Sequence, residues 1–337
     1  MLRNVENLTG FCFLSFEENL PLLLTELKTR FPQYKKPEIF GELVCFFDKS
    51  FSKDFVDNAK INLPYWARTC CFDVQKVSFD SIGDAAKYLK DIQRNWAGYQ
   101  FANFRRGTLI QEKLPYINLK PKKFPFEIVS SSMGFFTLLD EHTMLVSANT
   151  TSTLPLGQVT FVEDHENPPS RAYLKIQEAL VRFKAAFPEA ELPKENEYCF
   201  EAGACPGGWT WVLRNLGCRV MAVDRAPLVE KLMNDPMVEF VKHDAFTLKP
   251  EEIGKVDWVF SDVICYPERL YEWVNKWLDS GLVSNMICTI KMQGEIDWEL
   301  VSKFANIPNS KVVHLCYNKH ELTWMYCKEG NAENESN

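Results

Sequence analysis

The sequence predicts an α/β protein of two domains, an α+β N-terminal half followed by a domain built on a mostly parallel sheet. Three observations lead to this prediction. The chain has 337 residues, and single domains usually hold about 100–200 residues. Strand and helix patterns alternate regularly only in the C-terminal half, which is typical of a parallel α/β sheet. Between the halves lies a polar segment ending in Pro168-Pro169, a composition typical of a connection.

These features divide the chain into four parts. We expect an N-terminal α+β domain over residues 1–158, a linker over 159–172 and an α/β domain over 173–328. The remaining residues, 329–337, are polar and are predicted to be a disordered tail.

In the N-terminal half, hydrophobic spacing predicts helices and strands in a mixed order. Apolar residues from Leu20 to Phe31 recur at helical spacing, and Asp80–Trp96 is rich in helix formers, with Asp80 or Ser81 as its N-cap. Short apolar runs predict five strands, which are Gly10–Phe16, Leu43–Phe47, Phe126–Ser130, Gly134–Leu139 and Thr143–Ala148.

In the C-terminal half the predicted strands and helices alternate along the chain. The predicted strands are Tyr198–Ala202, Arg219–Val223, Val238–Val241, Val256–Ser261, Met286–Ile290, Val312–Cys316 and Leu322–Cys327. The predicted helices are Trp209–Leu216, Glu268–Leu278 and Trp298–Ala305. The last two strands follow one another without a helix, so we expect them to close the sheet as an antiparallel pair.

Composition excludes several classes of protein. No apolar run approaches the roughly 20 residues of a membrane-spanning helix, and the N-terminus lacks the pattern of a secretory signal. The 11 cysteines show no CxxC pair, which argues against a zinc site or a disulfide framework and for reduced thiols in the cytoplasm. We therefore expect a cytoplasmic protein without a metal, a membrane partner or an obligate protein partner.

Charge is distributed unevenly along the chain. The net charge is −7, but residues 1–150 carry +2 and residues 151–337 carry −9. Basic residues gather late in the N-terminal half, where a cluster of this kind can neutralise phosphates. The candidate RNA contacts are Arg105, Arg106, Lys120, Lys122 and Lys123. The alternative is a solvated charged surface, and the neighbouring aromatics Trp96, Tyr99 and Phe104 are expected in the core rather than on RNA.

A glycine-containing loop follows the first strand of the C-terminal half. The loop and the start of its helix comprise Gly203, Ala204, Cys205, Pro206, Gly207, Gly208 and Trp209. A strand, a tight loop and a helix N-terminus together favour an anionic or polar ligand. Asp224 ends the next strand, where a carboxylate can accept both hydroxyls of an adenosine ribose. The sequence therefore predicts a nucleoside cofactor.

The loop favours a cofactor without phosphates. Cys205 stands where a dinucleotide loop needs glycine, and Gly207-Gly208-Trp209 lacks the Gly-Lys-Ser/Thr of a P-loop. S-adenosylmethionine fits better, and a nicotinamide oxidoreductase is disfavoured. Asp244-Ala245 and Asp262 follow the next two strands, where Asp244 could accept from the adenine amino group and Phe246 could pack on the ring. Ligands of open α/β sheets bind at these carboxyl ends.

Two motifs carry a family resemblance. FEAGACPGGWT resembles the cofactor loop of the FtsJ-type ribose 2′-O-methyltransferases, and PSRAYLK before it resembles the bacterial members that modify a cytidine of 23S ribosomal RNA. The resemblance covers about residues 168–328. It implies a Rossmann-like class I methyltransferase domain with a mostly parallel seven-stranded sheet. Around Leu63–Arg68 the N-terminal half resembles, more weakly, the family's THUMP-containing RNA-binding region.

The resemblance also implies a Lys-Asp-Lys-Glu tetrad. The matching positions are Lys175 in SRAYLK, Asp262 in FSDV, Lys291 in CTIKM and Glu321 in KHELTW. Lys291 would be the general base or the residue that steers the ribose 2′-hydroxyl. Its alternative role is a charged lysine that stabilises developing alkoxide. Burial and Lys175 would lower the pKa of Lys291, whereas Asp262 and Glu321 would raise it.

The chain also departs from the family pattern. Glu201-Ala202 stands where relatives have Asp-Leu, and Met292-Gln293 stands where they have Leu-Pro. The resemblance implies an S-adenosylmethionine-dependent methyltransferase of ribosomal RNA. The alternatives are an enzyme for another RNA and a catalytically silent RNA-binding protein on the same fold.

Overall fold

The structure is a computed structural model that describes residues 4–329. Among these, residues 4–121 and 128–160 form one compact unit, and residues 122–127 and 161–329 form a second. The division falls after Thr160, inside the segment predicted as a linker. Residues 122–127, assigned from sequence to the first domain, belong to the second unit. Of the predicted disordered tail, all but Glu329 lies outside the described residues.

The first unit is built from two sheets and four helices among its described residues. Its strands are β1 (Val5–Asn7), β2 (Gly10–Leu14), β3 (Glu38–Phe40), β4 (Leu43–Phe47), β5 (Thr69–Phe72), β6 (Gln75–Ser78), β7 (Trp96–Tyr99), β8 (Gly134–Leu138) and β9 (Thr143–Ser147). Its helices are α1 (Leu20–Arg30), α2 (Lys53–Ile61), α3 (Ile82–Ile92) and α4 (Phe104–Lys113). The sheets run β1-β6-β9-β8-β7 and β3-β4-β2-β5, and β7 and β8 form the unit's parallel pair.

In the N-terminal half, one predicted helix ends earlier than expected and one predicted strand is wrong. Helix α3 ends at Ile92, and Trp96 instead begins β7, where its fully buried ring packs in the core. Ser81 is the α3 N-cap, since its hydroxyl accepts the Asp84 amide at 3.1 Å. Residues 126–130 form no strand. There Phe126 packs on Phe161, with ring centroids 5.7 Å apart, so its apolar character reflects side-chain packing instead of strand pairing.

The second unit contains one seven-stranded sheet with helices along it. Its helices are α5 (Tyr173–Ala186), α6 (Gly208–Asn215), α7 (Glu230–Met233), α8 (Pro250–Ile253), α9 (Pro267–Ser280) and α10 (Trp298–Ala305). Its strands are β10 (Tyr198–Ala202), β11 (Arg219–Asp224), β12 (Val238–Lys242), β13 (Val256–Ser261), β14 (Val283–Lys291), β15 (Ser310–Val313) and β16 (Glu321–Cys327). Every helix within residues 4–329 is too short or too polar to cross a lipid bilayer.

The order of the strands places the site. The sheet runs β12-β11-β10-β13-β14-β16-β15, with parallel pairing from β12 to β14 and antiparallel pairing beyond. The chain winds outward from β10 to β12 and then crosses back to β13. The direction in which successive strands are added to the sheet therefore reverses between β10 and β13. Ligands of open α/β sheets bind in the crevice at such a switch point. The α/β architecture expected for this half is confirmed.

The sheet is covered by helices whose apolar faces are buried. In α9 the side chains Leu270, Trp273, Val274 and Trp277 recur at helical spacing and are at most 2% exposed. Pro267 begins this helix, and Gly281, at φ +66°, ends it. Helix α5 is buried on almost every side, charged residues included. It is therefore a central helix, and it carries Lys175 at its first turn.

Candidate active site

The cofactor loop runs from β10 into α6, and two of its glycines have conformations that other residues rarely adopt. Gly203 has φ +79° and Gly207 has φ +112°. A Cβ on Gly203 would lie 2.6 Å from Val263 Cγ2, and one on Gly207 would overlap Leu232 Cδ1. Both positions are therefore restricted to glycine by backbone conformation and by space. The result is a tight loop whose backbone stands at the switch point of the sheet.

Asp224 is fixed beside this loop by two backbone amides. Its Oδ2 accepts the Cys205 amide at 2.9 Å, and its Oδ1 accepts the Ala226 amide at 3.0 Å. A carboxylate has about four acceptor positions, so Asp224 retains capacity for two ligand hydroxyls. This arrangement fits the ribose of an adenosine, as the sequence indicates. The loop and Asp224 together fit a nucleoside ligand that carries no phosphate.

Asp244 is more heavily engaged than its sequence position suggests. Its carboxylate accepts from Arg225 at 2.8 Å, Arg269 at 3.1 Å and the Phe246 amide at 3.1 Å. Burial acts to raise its pKa, but these donors outweigh burial and hold the pKa of Asp244 below its usual range. It therefore starts the turn Ala245–Thr247 as a charged cap. Its predicted contact with an adenine amino group stays a prediction.

Two aromatic rings near the loop pack in the core. The Phe246 ring stacks on Trp273 with centroids 4.6 Å apart, and Phe246 is 8% exposed. The ring therefore packs in the core and is not presented to a ligand, contrary to the expectation from sequence. Trp209 is 3% exposed, and its indole N–H donates to the Ala172 carbonyl at 3.0 Å. Trp209 can therefore contribute to a ligand site only through its backbone at the start of α6.

The four residues of the predicted tetrad meet in one ring of alternating charge. Lys175 Nζ lies 3.1 Å from Asp262 Oδ1 and also contacts Glu321 Oε1. Lys291 Nζ lies 2.9 Å from Asp262 Oδ1 and 3.5 Å from Glu321 Oε2. All four side chains are between 10% and 18% exposed. Each ammonium therefore touches both carboxylates, and the ring has no net charge.

The register of the sheet brings these residues together. Lys291 ends β14 and lies directly opposite Glu321, the first residue of β16. Asp262 follows β13, which pairs in parallel with β14, so Asp262 and Lys291 emerge at the same edge. Lys175 comes from the first turn of α5. Three strand ends and one helix thus supply the ring, which stands beside the loop that follows β10.

Lys291 is a charged lysine in this environment. Burial is the largest single influence on its pKa and favours the neutral form. Asp262 and Glu321 act in the opposite direction and together outweigh burial, so the pKa of Lys291 is raised above its usual value. The pKa of Asp262 is lowered: burial opposes the shift, and Lys175 and Lys291 cause it. The geometry therefore favours a hydrogen-bond donor and cation at Lys291 over a neutral base.

Glu201 lies directly under the cofactor loop as a buried acid. It is 2% exposed, and its Oε2 accepts the Thr210 hydroxyl at 2.6 Å. Burial, aided by the nearby carboxylates of Asp262 and Asp224, raises its pKa to about 8, against the opposing hydrogen bonds from Thr210. At neutral pH this side chain is mostly protonated. It therefore adds little charge beneath the loop.

The predicted RNA contacts are divided between the two units. Arg105 and Lys120 are exposed in the first unit, while the Arg106 guanidinium carbon lies 5.5 Å from the Phe79 ring centroid. Lys122 and Lys123 belong to the second unit. Their segment is held there by Phe124 and Phe126, whose rings pack on Phe161, and by the Lys122 carbonyl, which accepts the Val162 amide at 2.9 Å.

The expectation for the aromatics beside the basic residues is partly confirmed. Trp96 and Tyr99 are at most 5% exposed and lie in the core, as expected. Phe104, expected in the core, is 60% exposed at the start of α4, so that prediction is wrong. Downstream, Tyr116 is 71% exposed. The basic stretch therefore carries accessible aromatic rings that the spacing of residues did not reveal.

One buried ion pair near the site was not predicted. Glu178 lies one turn after Lys175 on α5, is fully buried, and accepts from Arg182 at 2.7 Å and from the Tyr317 amide at 3.1 Å. This pairing connects α5 to the loop before β16, which carries Glu321. The only sequence signal was the helical spacing of charged residues in a segment that proved to be buried.

Comparison with known proteins shows which class of protein the second unit resembles. Residues 168–328 match the model of the FtsJ-like methyltransferase family. The second unit, with its doubly wound sheet and the loop after β10, is therefore similar to FtsJ-like methyltransferase domains.

Within that class, the chain is similar to a more particular group of curated proteins. Ribosomal RNA large subunit methyltransferase M of Halorhodospira halophila is 40% identical over 126 residues, 37% of this chain and 36% of that protein. The protein of the same name from Thauera aminoaromatica is 30% identical over 182 residues, 51% of this chain and 49% of that protein. The matches thus span about a third to a half of these relatives. Among solved structures, TrmN from Thermus thermophilus aligns over 96% of this chain and 100% of that chain, with 13% identity and a TM-score of 0.33.

Proposed function

We propose that this protein is an S-adenosylmethionine-dependent ribose 2′-O-methyltransferase acting on ribosomal RNA, with a cytidine of 23S RNA as the first candidate target. The observation that carries the proposal is the ring formed by Lys175, Asp262, Lys291 and Glu321 beside the cofactor loop. The names of the similar proteins support the choice of ribosomal RNA.

The cofactor would be held by the loop after β10 and by Asp224. When bound, S-adenosylmethionine supplies an electrophilic methyl group on a sulfonium. Positive φ angles at Gly203 and Gly207 give the loop its tight turn, and Asp224 has acceptor capacity for the two ribose hydroxyls. Because Asp262 directly follows β13 at the switch point, the tetrad lies next to the bound ligand.

Lys291 would position the substrate hydroxyl. Its charged ammonium donates a hydrogen bond to the ribose 2′-oxygen, which directs an oxygen lone pair at the methyl carbon. The hydroxyl would release its proton to water as its oxygen accepts the methyl group from the sulfonium. The same ammonium stabilises negative charge that develops on the oxygen. Asp262 and Glu321 hold both lysines in place, so little reorganisation is needed during the reaction.

The first unit would bind RNA and correspond to the THUMP-like region expected from sequence. The exposed Arg105 and Lys120 support contacts with phosphates, and the exposed rings of Phe104 and Tyr116 support stacking on unpaired bases. Lys122 and Lys123 would extend these contacts on the methyltransferase unit.

A methyl-transfer assay tests the proposal. Purified protein is incubated with labelled S-adenosylmethionine and protein-free ribosomal RNA, and the labelled nucleotide is mapped by its resistance to alkaline cleavage. We expect label on a ribose oxygen. Lys291→Met should lower the rate at least 100-fold while retaining cofactor binding. Lys303→Met, which removes an exposed lysine of α10, is the matched control and should keep full activity.

The outcomes separate the alternatives. RNA binding without any transferred label would favour the silent RNA-binding protein. Label on another RNA, but never on ribosomal RNA, would retain the chemistry and overturn the substrate. Unchanged transfer by Lys291→Met would contradict the role given to the tetrad.

A further inference from the structure

Two chain segments leave the tetrad side by side, and a groove runs between them. One segment follows Asp262 and the other follows Lys291, whose charged atoms lie 2.9 Å apart. The groove is lined by Tyr266 and Glu268 from the first segment and by Met292, Gln293 and Glu295 from the second. Met292 directly follows Lys291 in the chain, so the groove lies next to the end of β14 that carries this tetrad lysine.

The first segment presents apolar surface outward. Ile264 is 79% exposed and Tyr266 is 65% exposed, whereas Cys265 between them is 8% exposed. Buried Cys265 anchors the segment, and Pro267 begins α9 immediately after Tyr266. The Tyr266 backbone is thereby fixed at the start of a well-packed helix. An aromatic ring that is both exposed and rigidly mounted is suited to stacking on a planar ligand.

The charges around the groove select the kind of ligand. Glu268 and Glu295 line it and are exposed, as is the side chain of Gln293. Carboxylates at this position would repel an RNA phosphate, so the groove does not suit the backbone. An uncharged planar base suits it, since Tyr266 offers a stacking surface and the Gln293 amide offers one donor group and one acceptor.

We propose that this groove binds the base of the target nucleotide, with Tyr266 as the stacking residue and Gln293 as the residue that reads the base edge. The inference rests on the proposed function, because a base belongs here only if the tetrad holds its ribose. Base and ribose are joined directly, so a ribose at the tetrad places its base beside it. The two residues are positioning and specificity residues: the bond changes occur at the tetrad.

Variants of Tyr266 test the stacking role with the full-length protein. The substrate is a short single-stranded RNA that contains the target nucleotide in unmethylated form. A second RNA carries an abasic ribose at the target position. We expect Tyr266→Ala to raise the KM for the normal RNA about 5- to 150-fold, the range given by loss of one base stack. Tyr266→Phe should stay within threefold of the unchanged protein. The KM for S-adenosylmethionine should be the same in all variants.

The abasic RNA separates stacking from a general structural effect. Because this RNA has no base to stack, Tyr266→Ala and the unchanged protein should have equal KM values for it. Gln293→Ala should relax the preference for the natural base over its substitutes while leaving the abasic KM unchanged. If Tyr266→Ala left the KM for normal RNA unchanged, or raised it equally for abasic RNA, the inference would be overturned and the proposed function would stand. If the unchanged protein methylated no RNA, both would fall.

Discussion

Replacing Glu201 by glutamine should change how stability depends on pH. Glu201 is the buried acid under the cofactor loop, and its pKa rises from 4.5 to about 8 in the folded chain, chiefly through burial. An acid with a raised pKa contributes stability that is complete below its unfolded pKa and is lost as the pH rises through its folded pKa. For Glu201 this loss accumulates between about pH 4.5 and pH 8. Glutamine has the same shape and no proton to lose, and its amide oxygen can still accept from Thr210.

The size of the effect follows from the two pKa values. With a pKa of 4.5 in the unfolded chain and about 8 in the folded chain, the linkage relation gives a loss of about 3–4 kcal/mol between pH 5 and pH 8. All other titrating groups are common to both proteins, so they cancel when the two are compared. The lowered pKa of Asp262 places its titration in stronger acid, outside this interval. The stability of Glu201→Gln relative to the natural protein should therefore increase by about 3–4 kcal/mol across the interval.

Urea unfolding at several pH values between 5 and 8 measures this difference. The transition of the second unit can be followed by tryptophan fluorescence, since that unit contains Trp258, Trp277 and Trp324 as fully or almost fully buried rings. Asp279→Asn, an exposed acid on α9, is the control and should show a constant difference. If the difference between Glu201→Gln and the natural protein varied by less than about 1 kcal/mol, the buried carboxyl would be ionised throughout and the reasoning would be refuted.

Three further substitutions test other parts of the site. Asp262→Asn removes one of the two carboxylates that Lys175 and Lys291 share, so the free energy of unfolding should fall by about 3–5 kcal/mol in thermal or urea unfolding. An unchanged free energy of unfolding would contradict the pairing described for the ring. Gly207→Ala places a Cβ at φ +112° against Leu232 and should lower the free energy of unfolding by about 1–3 kcal/mol. Gly254 also has a positive φ but has open space around its Cβ, so Gly254→Ala measures backbone strain without steric overlap. Asp224→Asn should weaken S-adenosylmethionine binding about tenfold in calorimetry, the loss of roughly one charge-assisted hydrogen bond, and unchanged affinity would place the cofactor ribose elsewhere.

The sequence predicts the sheet best where burial is most complete. The strands Tyr198–Ala202 and Val256–Ser261 agree with the structure at both ends. Central parallel strands are covered on both faces and read as continuous apolar runs. The same rule fails at Phe126, which is apolar because its ring packs on Phe161 and not because it lies in a strand. An apolar run indicates that its residues are buried, but it does not show whether strand pairing or side-chain packing buries them.

Helix α5 was missed for a related reason. Lys175, Glu178 and Arg182 are typical of a solvent-facing helix, and the sequence gives no sign that Lys175 and Glu178 are buried. These two are buried because each charge has a partner: Lys175 has two carboxylates, and Glu178 has Arg182. Partners of this kind come from distant strands and loops. Pairing across the fold is therefore invisible to any local pattern of the chain.

The charge state of Lys291 shows the same limit at the site. Residue types alone name the opposing influences on its pKa, which are burial and Lys175 on one side and two carboxylates on the other. Their balance depends on distances, and cross-strand pairing with Glu321 and the 2.9 Å contact with Asp262 decide it in favour of the charged form. The general-base role predicted as one option for Lys291 is thereby disfavoured.

The neutrality of the ring has a consequence for RNA binding. Two lysines paired with two carboxylates have almost no field at a distance, and the adjoining groove carries Glu268 and Glu295. Long-range attraction for phosphates must then arise outside the proposed methyl-transfer site, because counterion release requires net positive charge. The basic residues near Arg105 and Lys123 are the groups that meet this requirement in the proposed enzyme. Affinity for RNA and selection of the target nucleotide would therefore be separable: salt should weaken the first, while the second depends on short-range contacts at the tetrad and the groove.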